Sequence, residues 1–266
     1  PVAAPSTLPQ GADRGAEQPA ASGPAPVTVL PAAQPYAVDT LTEGFDDVEA
    51  LPGDGWAMTN NSEPVGSTSW FQGSLDVFEA HEGALDAYVG ANFNSAGTSP
   101  GNISNWLMTP ELDLVNGSTL SFWTRTTDNP ATWADRLEVR MSTAGASTDV
   151  GSGYAGVGDF TERLLVINES LADSGYPQVW TRYDVTIEGL DAPEMGRLAF
   201  RYHVPDGGPA GVNSNFIGID TVSYEAAEST PHACDLGTDI PWLSVDPTSG
   251  TTPAGESSTV TVSLDS

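Results

Sequence analysis

Several short segments of the chain alternate apolar and polar residues with a period of two, the pattern of β-strands that bury one face. In DRLEVRMST (135–143), Leu137, Val139 and Met141 fall together on one face. The same alternation occurs in STLSFWTRTT (118–127) and GRLAFRYHV (196–204). Further strand candidates are TSWFQG (68–73), LDAYVGANF (85–93), NWLMTP (105–110), ERLLVIN (162–168), QVWTRYDVTI (178–187) and NFIGIDTVSY (215–224). About ten strands without a long helical period predict an all-β fold, an antiparallel jelly-roll β-sandwich.

This pattern divides the chain into three parts. Residues 1–39 are rich in proline and alanine, and they cannot bury enough apolar area to offset their ordering entropy, so they are predicted to be a linker or a disordered tail. Residues 40–226 contain the predicted sandwich. Residues 227–266 contain a linker and two further strand patterns. Two strands alone are marginally stable, so this last part is expected to belong to a second domain or to dock elsewhere.

The charge balance excludes several classes of function. The chain has 36 Asp and Glu residues against 8 Arg and no Lys, which gives a net charge of -28. Such a surface repels phosphate and anionic headgroups, so neither nucleic-acid nor membrane-surface binding is expected as a main activity. No apolar run is long enough for membrane insertion. The single cysteine, Cys234, excludes a disulfide within this stretch and a cysteine-based zinc site.

The sequence gives little support for catalysis. His81, His203 and His232 lie in unrelated contexts, and neither a GxSxG nor an HExxH motif is present. His203 falls opposite the apolar face of its predicted strand and is expected at the surface, whereas His81 is expected in a loop. We therefore predict that the chain is not an enzyme.

Two acidic places are candidate Ca²⁺ sites, because clustered carboxylates are ligands that Ca²⁺ prefers. TEGFDD (42–47) contains Glu43, Asp46 and Asp47. Asp220 lies within an otherwise apolar strand pattern whose alternation changes phase, which predicts a β-bulge. A carboxylate there needs a partner, either a backbone or arginine hydrogen-bond donor or a metal ion, and both alternatives remain open.

Tryptophan side chains are candidates for sugar binding. Trp70, Trp106 and Trp123 lie in strand patterns and are expected in the core or at its edge. Trp133 lies in the loop-like stretch DNPATWADR (128–136) and is the candidate for an exposed ligand-binding surface.

A series of segments carries a family resemblance. These are GFDDVEALPGDGWAMTNNSEPVGSTSWFQG (44–73), SNWLMTPELDL (104–114), LSFWTRT (120–126), DRLEVRMSTAG (135–145), GRLAFRY (196–202) and NSNFIGIDTVSY (213–224). In this order they closely resemble the choice-of-anchor J domain, a bacterial exported module related to the cleaved adhesin domain and, more distantly, to MAM-type jelly rolls. The resemblance implies a jelly roll on a secreted or cell-surface protein, with calcium beside the sandwich. The family's opening acidic strand and its final I-D-x-V strand match Glu43–Asp47 and Asp220.

Residues 234–266, with P-W-L-S-V and P-x-S-G, resemble the beginning of a BACON-type bacterial Ig-like repeat.

These expectations describe a non-catalytic secreted or cell-surface module for adhesion, attachment or extracellular assembly, stabilised by structural Ca²⁺. The alternative is a carbohydrate-binding accessory domain of a larger secreted enzyme. The expected partner is an extracellular glycan or protein surface, or other copies of the chain.

Overall fold

The computed structural model describes residues 40–98, 100–128, 133–227, 243–246, 259 and 261–264. Apart from short 3₁₀ turns at Leu51–Asp54 and Phe93–Ser95, the regular structure in these ranges is β. In chain order the strands are β1 (Thr40–Glu43), β2 (Ala57–Asn60), β3 (Phe71–Gln72), β4 (Val89–Asn92), β5 (Gly101–Met108), β6 (Leu112–Leu114), β7 (Thr119–Thr126), β8 (Leu137–Ser142), β9 (Glu162–Ile167), β10 (Thr181–Thr186), β11 (Glu194–Gly207), β12 (Phe216–Glu225), β13 (Leu243–Asp246) and β14 (Thr261–Leu264).

Strands β1 to β12 form two antiparallel sheets. The first has the order β10-β7-β12-β4-β3, with β1 also paired to β12. The second has the order β2-β5-β11-β8-β9, with β6 also paired to β11. The orders β10-β7-β12-β4 and β5-β11-β8-β9 are those of a jelly roll, so the predicted fold class is confirmed.

The main core lies between the inner faces of the two sheets. Leu137, Val139 and Met141 are buried there, as the alternation in 135–143 predicts. Across the sandwich, the ring of Phe122 on β7 meets that of Phe200 on β11 edge to face, with 4.9 Å between the ring centroids.

Each sheet is also covered on its outer face. Residues 73–88 place Phe78 and Tyr88 against Phe216 of the first sheet. Residues 143–161 place Phe160 against Trp106 of the second sheet. Because of these two covering segments, a strand residue whose side chain points away from the main core can still be buried.

The expectation that His203 is a surface residue is therefore wrong. Its side chain is 13% exposed, and its ring stacks on that of Tyr154, with 4.3 Å between the ring centroids. Tyr154 belongs to the segment 143–161, which buries the outer face of β11 where His203 lies. Trp70 and Trp106 are buried and Trp123 is half-buried, as expected.

The bulge predicted in β12 is present. The pairing of β12 with β7 shifts register between Asp220 and Ser223. Thr221 within the bulge has a positive φ of 49°. On its other edge, residues 216–219 of β12 pair with β4, and residues 222–225 pair with β1.

Further along the chain, β13 and β14 pair with each other antiparallel, with Leu243 opposite Leu264. The predictions made for residues 1–39, for His232 and for Cys234 fall outside the described residues. Within the described part of the chain, no helix has the length and apolarity needed to cross a membrane.

Candidate functional site

Trp133 lines a surface pocket. Its side chain is 47% exposed, and the pocket has a volume of about 210 Å³. A second aromatic residue, Phe93, lines the same pocket and is 37% exposed. The remaining lining residues are Gly208, Pro209, Gly211, Ser214 and Asn215. We call this site the Trp133 pocket.

A buried carboxylate fixes the chain next to Trp133. Asp135 is 1% exposed and accepts hydrogen bonds from the Tyr202 hydroxyl (2.5 Å), the Thr126 hydroxyl (2.7 Å) and the Asn215 backbone N–H (2.8 Å). Burial raises the pKa of Asp135, and these hydrogen bonds offset part of that shift. The network joins β7, β11 and the start of β12 beneath the pocket.

Phe93 is held by local hydrogen bonds. It opens a 3₁₀ turn capped by Asn92, whose side-chain oxygen accepts the Asn94 N–H at 2.9 Å. The Phe93 N–H donates to the backbone carbonyl of Asn215 at 3.0 Å. Asn215 thus connects the backbone of Phe93 to the Asp135 network, so the two segments that carry the exposed rings are tied to the same buried hydrogen bonds. Phe93 was not identified from the sequence, where the only signal was an aromatic residue at the end of a predicted strand.

A second pocket, the acidic pocket, lies where β1 ends beside the β12 bulge. Its volume is about 390 Å³, and Glu43, Asp46 and Glu82 line it together with the hydroxyl-bearing residues Thr42, Thr221 and Ser223. Burial raises the pKa of Glu43, and the negative charges of Asp54 and Asp46 add to the shift. Among the lining residues that the structure describes, none is basic.

Asp220 positions one wall of the acidic pocket. It is fully buried, and its Oδ2 accepts the backbone N–H groups of His81 (2.8 Å) and Glu82 (3.1 Å). Its Oδ1 accepts the Thr221 N–H at 2.5 Å. Burial raises the pKa of Asp220, and these backbone hydrogen bonds offset part of the rise. In the gap where β12 changes partner from β4 to β1, Asp220 binds the loop that brings Glu82 to the pocket.

The four predicted metal ligands therefore differ in position. Glu43 and Asp46 line the acidic pocket, whereas Asp47 is exposed outside it and accepts the Glu49 N–H at 3.0 Å. Asp220 lies behind the pocket with both carboxylate oxygens hydrogen-bonded to backbone. Among the described residues, no three His, Cys, Asp or Glu side chains form a group that could hold a metal ion by themselves. Glu82 was missed because only the tertiary fold brings it near Glu43.

The two described histidines lie in different surroundings. The His81 ring stacks on Trp123, with 3.9 Å between ring centroids, and its Nδ1 lies 3.1 Å from the Thr221 hydroxyl. His203 Nδ1 lies 3.2 Å from Glu138. In the described part of the chain, neither ring is hydrogen-bonded to a serine, which is the contact that a serine nucleophile would require.

A buried charge cluster lies under the segment 143–161. Glu138 contacts Arg140 at 2.7 Å, Arg201 at 3.3 Å and His203 at 3.2 Å. Burial alone would raise the pKa of Glu138, but hydrogen bonds from His203 and Arg140 outweigh it and hold that pKa well below its usual value. Arg201 also donates to the backbone carbonyl of Gly156 at 3.2 Å, so the cluster holds the covering segment on the sheet.

No protein-family model matches the sequence, and a search of curated proteins returned no match. Among solved structures, the chain is similar to the K1 and K3 cleaved adhesin domains of Lys-gingipain from Porphyromonas gingivalis. The identities are 21% and 22% and the TM-scores 0.48 and 0.46; each match covers 71% of this chain and 98% of the other. It is also similar to a family 11 carbohydrate-binding module from Clostridium thermocellum in complex with a β-1,3-1,4-mixed-linked tetrasaccharide, at 14% identity and a TM-score of 0.39, covering 73% of this chain and 98% of that one. At this level the matches describe similarity of fold, and the function has to be argued from the site.

Proposed function

We propose that the chain is a non-catalytic, secreted or cell-surface module that binds an extracellular glycan or protein surface through the Trp133 pocket. The observation that carries this proposal is the combination of a half-exposed tryptophan with a rigid base. A ligand that covers an exposed aromatic side chain removes apolar surface from water, and this favours binding. Because the Asp135 network already orders its surroundings, little additional ordering entropy is lost on binding.

The adhesive role is favoured over the accessory-domain alternative by the sequence resemblance to the choice-of-anchor J domain. A carbohydrate-binding accessory domain of a larger secreted enzyme would use the same pocket. Binding to intact cell or matrix surfaces supports adhesion, whereas binding confined to one plant or storage polysaccharide supports the accessory role. Self-association through residues 227–266 stays a prediction.

The test is binding of the full chain to a glycan array and to immobilised extracellular matrix proteins. We expect Trp133→Ala to lose about 2 kcal/mol or more of binding free energy, a loss of roughly 30-fold in affinity. Leu85→Ala is the matched control, because Leu85 is 56% exposed and lies outside the Trp133 pocket. Equal binding by Trp133→Ala and the unmodified chain would remove the pocket from the proposal.

We further propose that the acidic pocket binds a structural Ca²⁺ ion. Glu43 and Asp46 carry negative charge into a partly buried site without a basic lining residue, and a cation there would relieve their mutual repulsion. Since the described carboxylates do not suffice alone, the proposal needs hydroxyl or backbone oxygens from Thr42, Thr221 or Ser223. Glu82 would add charge, and Asp220 would act by holding the Glu82 loop.

A further inference from the structure

A third surface pocket, distinct from the acidic pocket, adjoins the Trp133 pocket. It has a volume of about 450 Å³, and Val65, which is 61% exposed, lies on its wall. Pro209 lines both pockets, and the consecutive residues Phe93 and Asn94 line one pocket each. The Trp133 pocket and this Val65 pocket therefore adjoin, and we call the two together the groove.

The backbone under the Val65 pocket is rigid. Residues 64–67 hydrogen-bond to residues 94–97 through Gly66 N–H to Ser95 O (3.0 Å), Ser67 N–H to Asn94 O (2.9 Å) and Gly97 N–H to Pro64 O (2.8 Å). A Cβ atom on Gly66 would lie 2.0 Å from the Asn94 carbonyl oxygen, so this close approach of the two segments requires glycine. Since these backbone groups are paired with each other, they are not available as a strand edge for an extended peptide.

The described residues that line the groove carry no charge. None of them is Asp, Glu, Arg or His, although the chain as a whole has a net charge of -28. An anionic ligand would be repelled by the surrounding surface, and a cationic group would find no carboxylate in the groove. The lining favours an uncharged ligand.

We propose that the groove binds a linear, uncharged saccharide chain, with one sugar at Trp133 and Phe93 and a following sugar in the Val65 pocket. This inference rests on the proposed function of the Trp133 pocket and names its ligand class. The C–H face of a pyranose packs on the negative face of an aromatic ring. The Asn94 side-chain amide has no hydrogen-bond partner among the described residues, so it is free to bond sugar hydroxyls. The Trp133 pocket alone, at about 210 Å³, is smaller than most ligand sites (roughly 300–1,000 Å³), so a ligand of more than one sugar extends into the Val65 pocket.

The test is calorimetric titration of the full chain with uncharged gluco-, manno-, galacto- and xylo-oligosaccharides, from disaccharides to hexasaccharides. We expect affinity in one series to rise with length and then level off. Val65→Asp places an unpaired charge in the groove and should weaken binding of the longest sugars about tenfold or more while leaving the shortest unchanged. Val179→Asp is the matched control, because Val179 is 66% exposed and lines neither pocket.

The outcomes separate this proposal from the one on which it rests. Affinity that does not depend on length, or a Val65→Asp variant that behaves like Val179→Asp, overturns the second sugar position and leaves the Trp133 pocket in place. Oligogalacturonates that bind as well as neutral sugars overturn the uncharged class. Binding to matrix proteins through Trp133, with no binding to any saccharide, overturns the saccharide assignment. Saccharide binding that survives Trp133→Ala contradicts the proposed function itself.

Discussion

Replacing Glu138 tests how residues 143–161 are held on the outer face of the second sheet. Its carboxylate is the shared partner of Arg140, Arg201 and His203 in the outer face of the second sheet. The side chains of Glu138 and Arg201 are 4% and 2% exposed. Glu138→Gln keeps the size of the side chain but removes its charge, which leaves the Arg201 guanidinium buried without a counter-charge.

The expected loss in the free energy of unfolding follows from the burial of both side chains. Removing one partner of a buried ion pair costs about 3–5 kcal/mol, because the remaining charge stays desolvated. For a domain of this size, each kcal/mol lowers the melting temperature by about 2–4 °C. Glu138→Gln should therefore melt about 6–20 °C below the unmodified chain. Burial lowers the pKa of Arg201 only to about 10, so its charge persists at neutral pH.

The same cluster predicts a sensitivity to acid. The pKa of Glu138 in the folded chain lies below its ordinary value of 4.5. Below pH 4.5 the unfolded chain therefore binds protons more readily than the folded chain at this residue, and the stability that Glu138 contributes is lost as the pH falls toward its folded pKa. In Glu138→Gln this part of the pH dependence should be missing.

The assay is urea and thermal unfolding followed by circular dichroism. Combining Glu138→Gln with Arg201→Met should restore the part of the loss that comes from the uncompensated Arg201 charge, whereas Arg140 stays without its counter-charge in both variants. Asp184→Asn is the control, since Asp184 pairs with Arg182 at 2.8 Å where both side chains are more than half exposed. That surface pair is worth about 0–1 kcal/mol. A Glu138→Gln effect as small as the control would refute the role assigned to the cluster.

Three further predictions concern the Asp135 network, the acidic pocket and the net charge. Asp135→Ala removes the shared acceptor of the Tyr202 hydroxyl and the Asn215 N–H, whereas the Thr126 hydroxyl can still donate to the Phe216 carbonyl at 2.8 Å. A buried donor left without a partner costs about 1–3 kcal/mol, so the variant should lose about 2 kcal/mol or more in urea unfolding. Asp135→Asn should lose less, and equal losses would contradict the network. Millimolar Ca²⁺ should raise the melting temperature, and EDTA should reverse that rise. Glu43→Gln and Asp46→Asn should each reduce the rise. A melting temperature that does not change with Ca²⁺ would exclude the ion. Added NaCl should stabilise the chain at pH 7 by screening its -28 charge, and lower stability in concentrated salt would count against that reasoning.

Much of the fold could be predicted from the alternation of apolar residues. The inner faces of β7, β8 and β11 and the bulge at Asp220 follow from it, because a change of phase within a strand implies an extra residue in the ladder. Strands β2 and β6 were not predicted from the sequence. The alternation also could not indicate that residues 143–161 cover the second sheet, which is why His203 was expected at the surface.

The site was predictable only where its residues are close in sequence. Glu43 and Asp46 belong to one hexapeptide, and they share the acidic pocket. Glu82 joins them through a loop bound by Asp220, far along the chain. Phe93 likewise reaches the Trp133 pocket through a backbone hydrogen bond to Asn215. Long-range contacts of this kind depend on strand pairing and cannot be derived from local patterns.

A titration of the ¹⁵N-labelled full chain, followed through its indole N–H signals, shows directly whether the Trp133 pocket is the binding site. The chain has seven tryptophans, and the probe is the tightest-binding ligand from the array of glycans and matrix proteins. We expect the Trp133 signal to shift until the ligand saturates the chain, while the signals of the buried Trp70 and Trp106 stay in place. A ligand that saturates the chain while the Trp133 signal does not move would contradict the proposal that this pocket is the binding site.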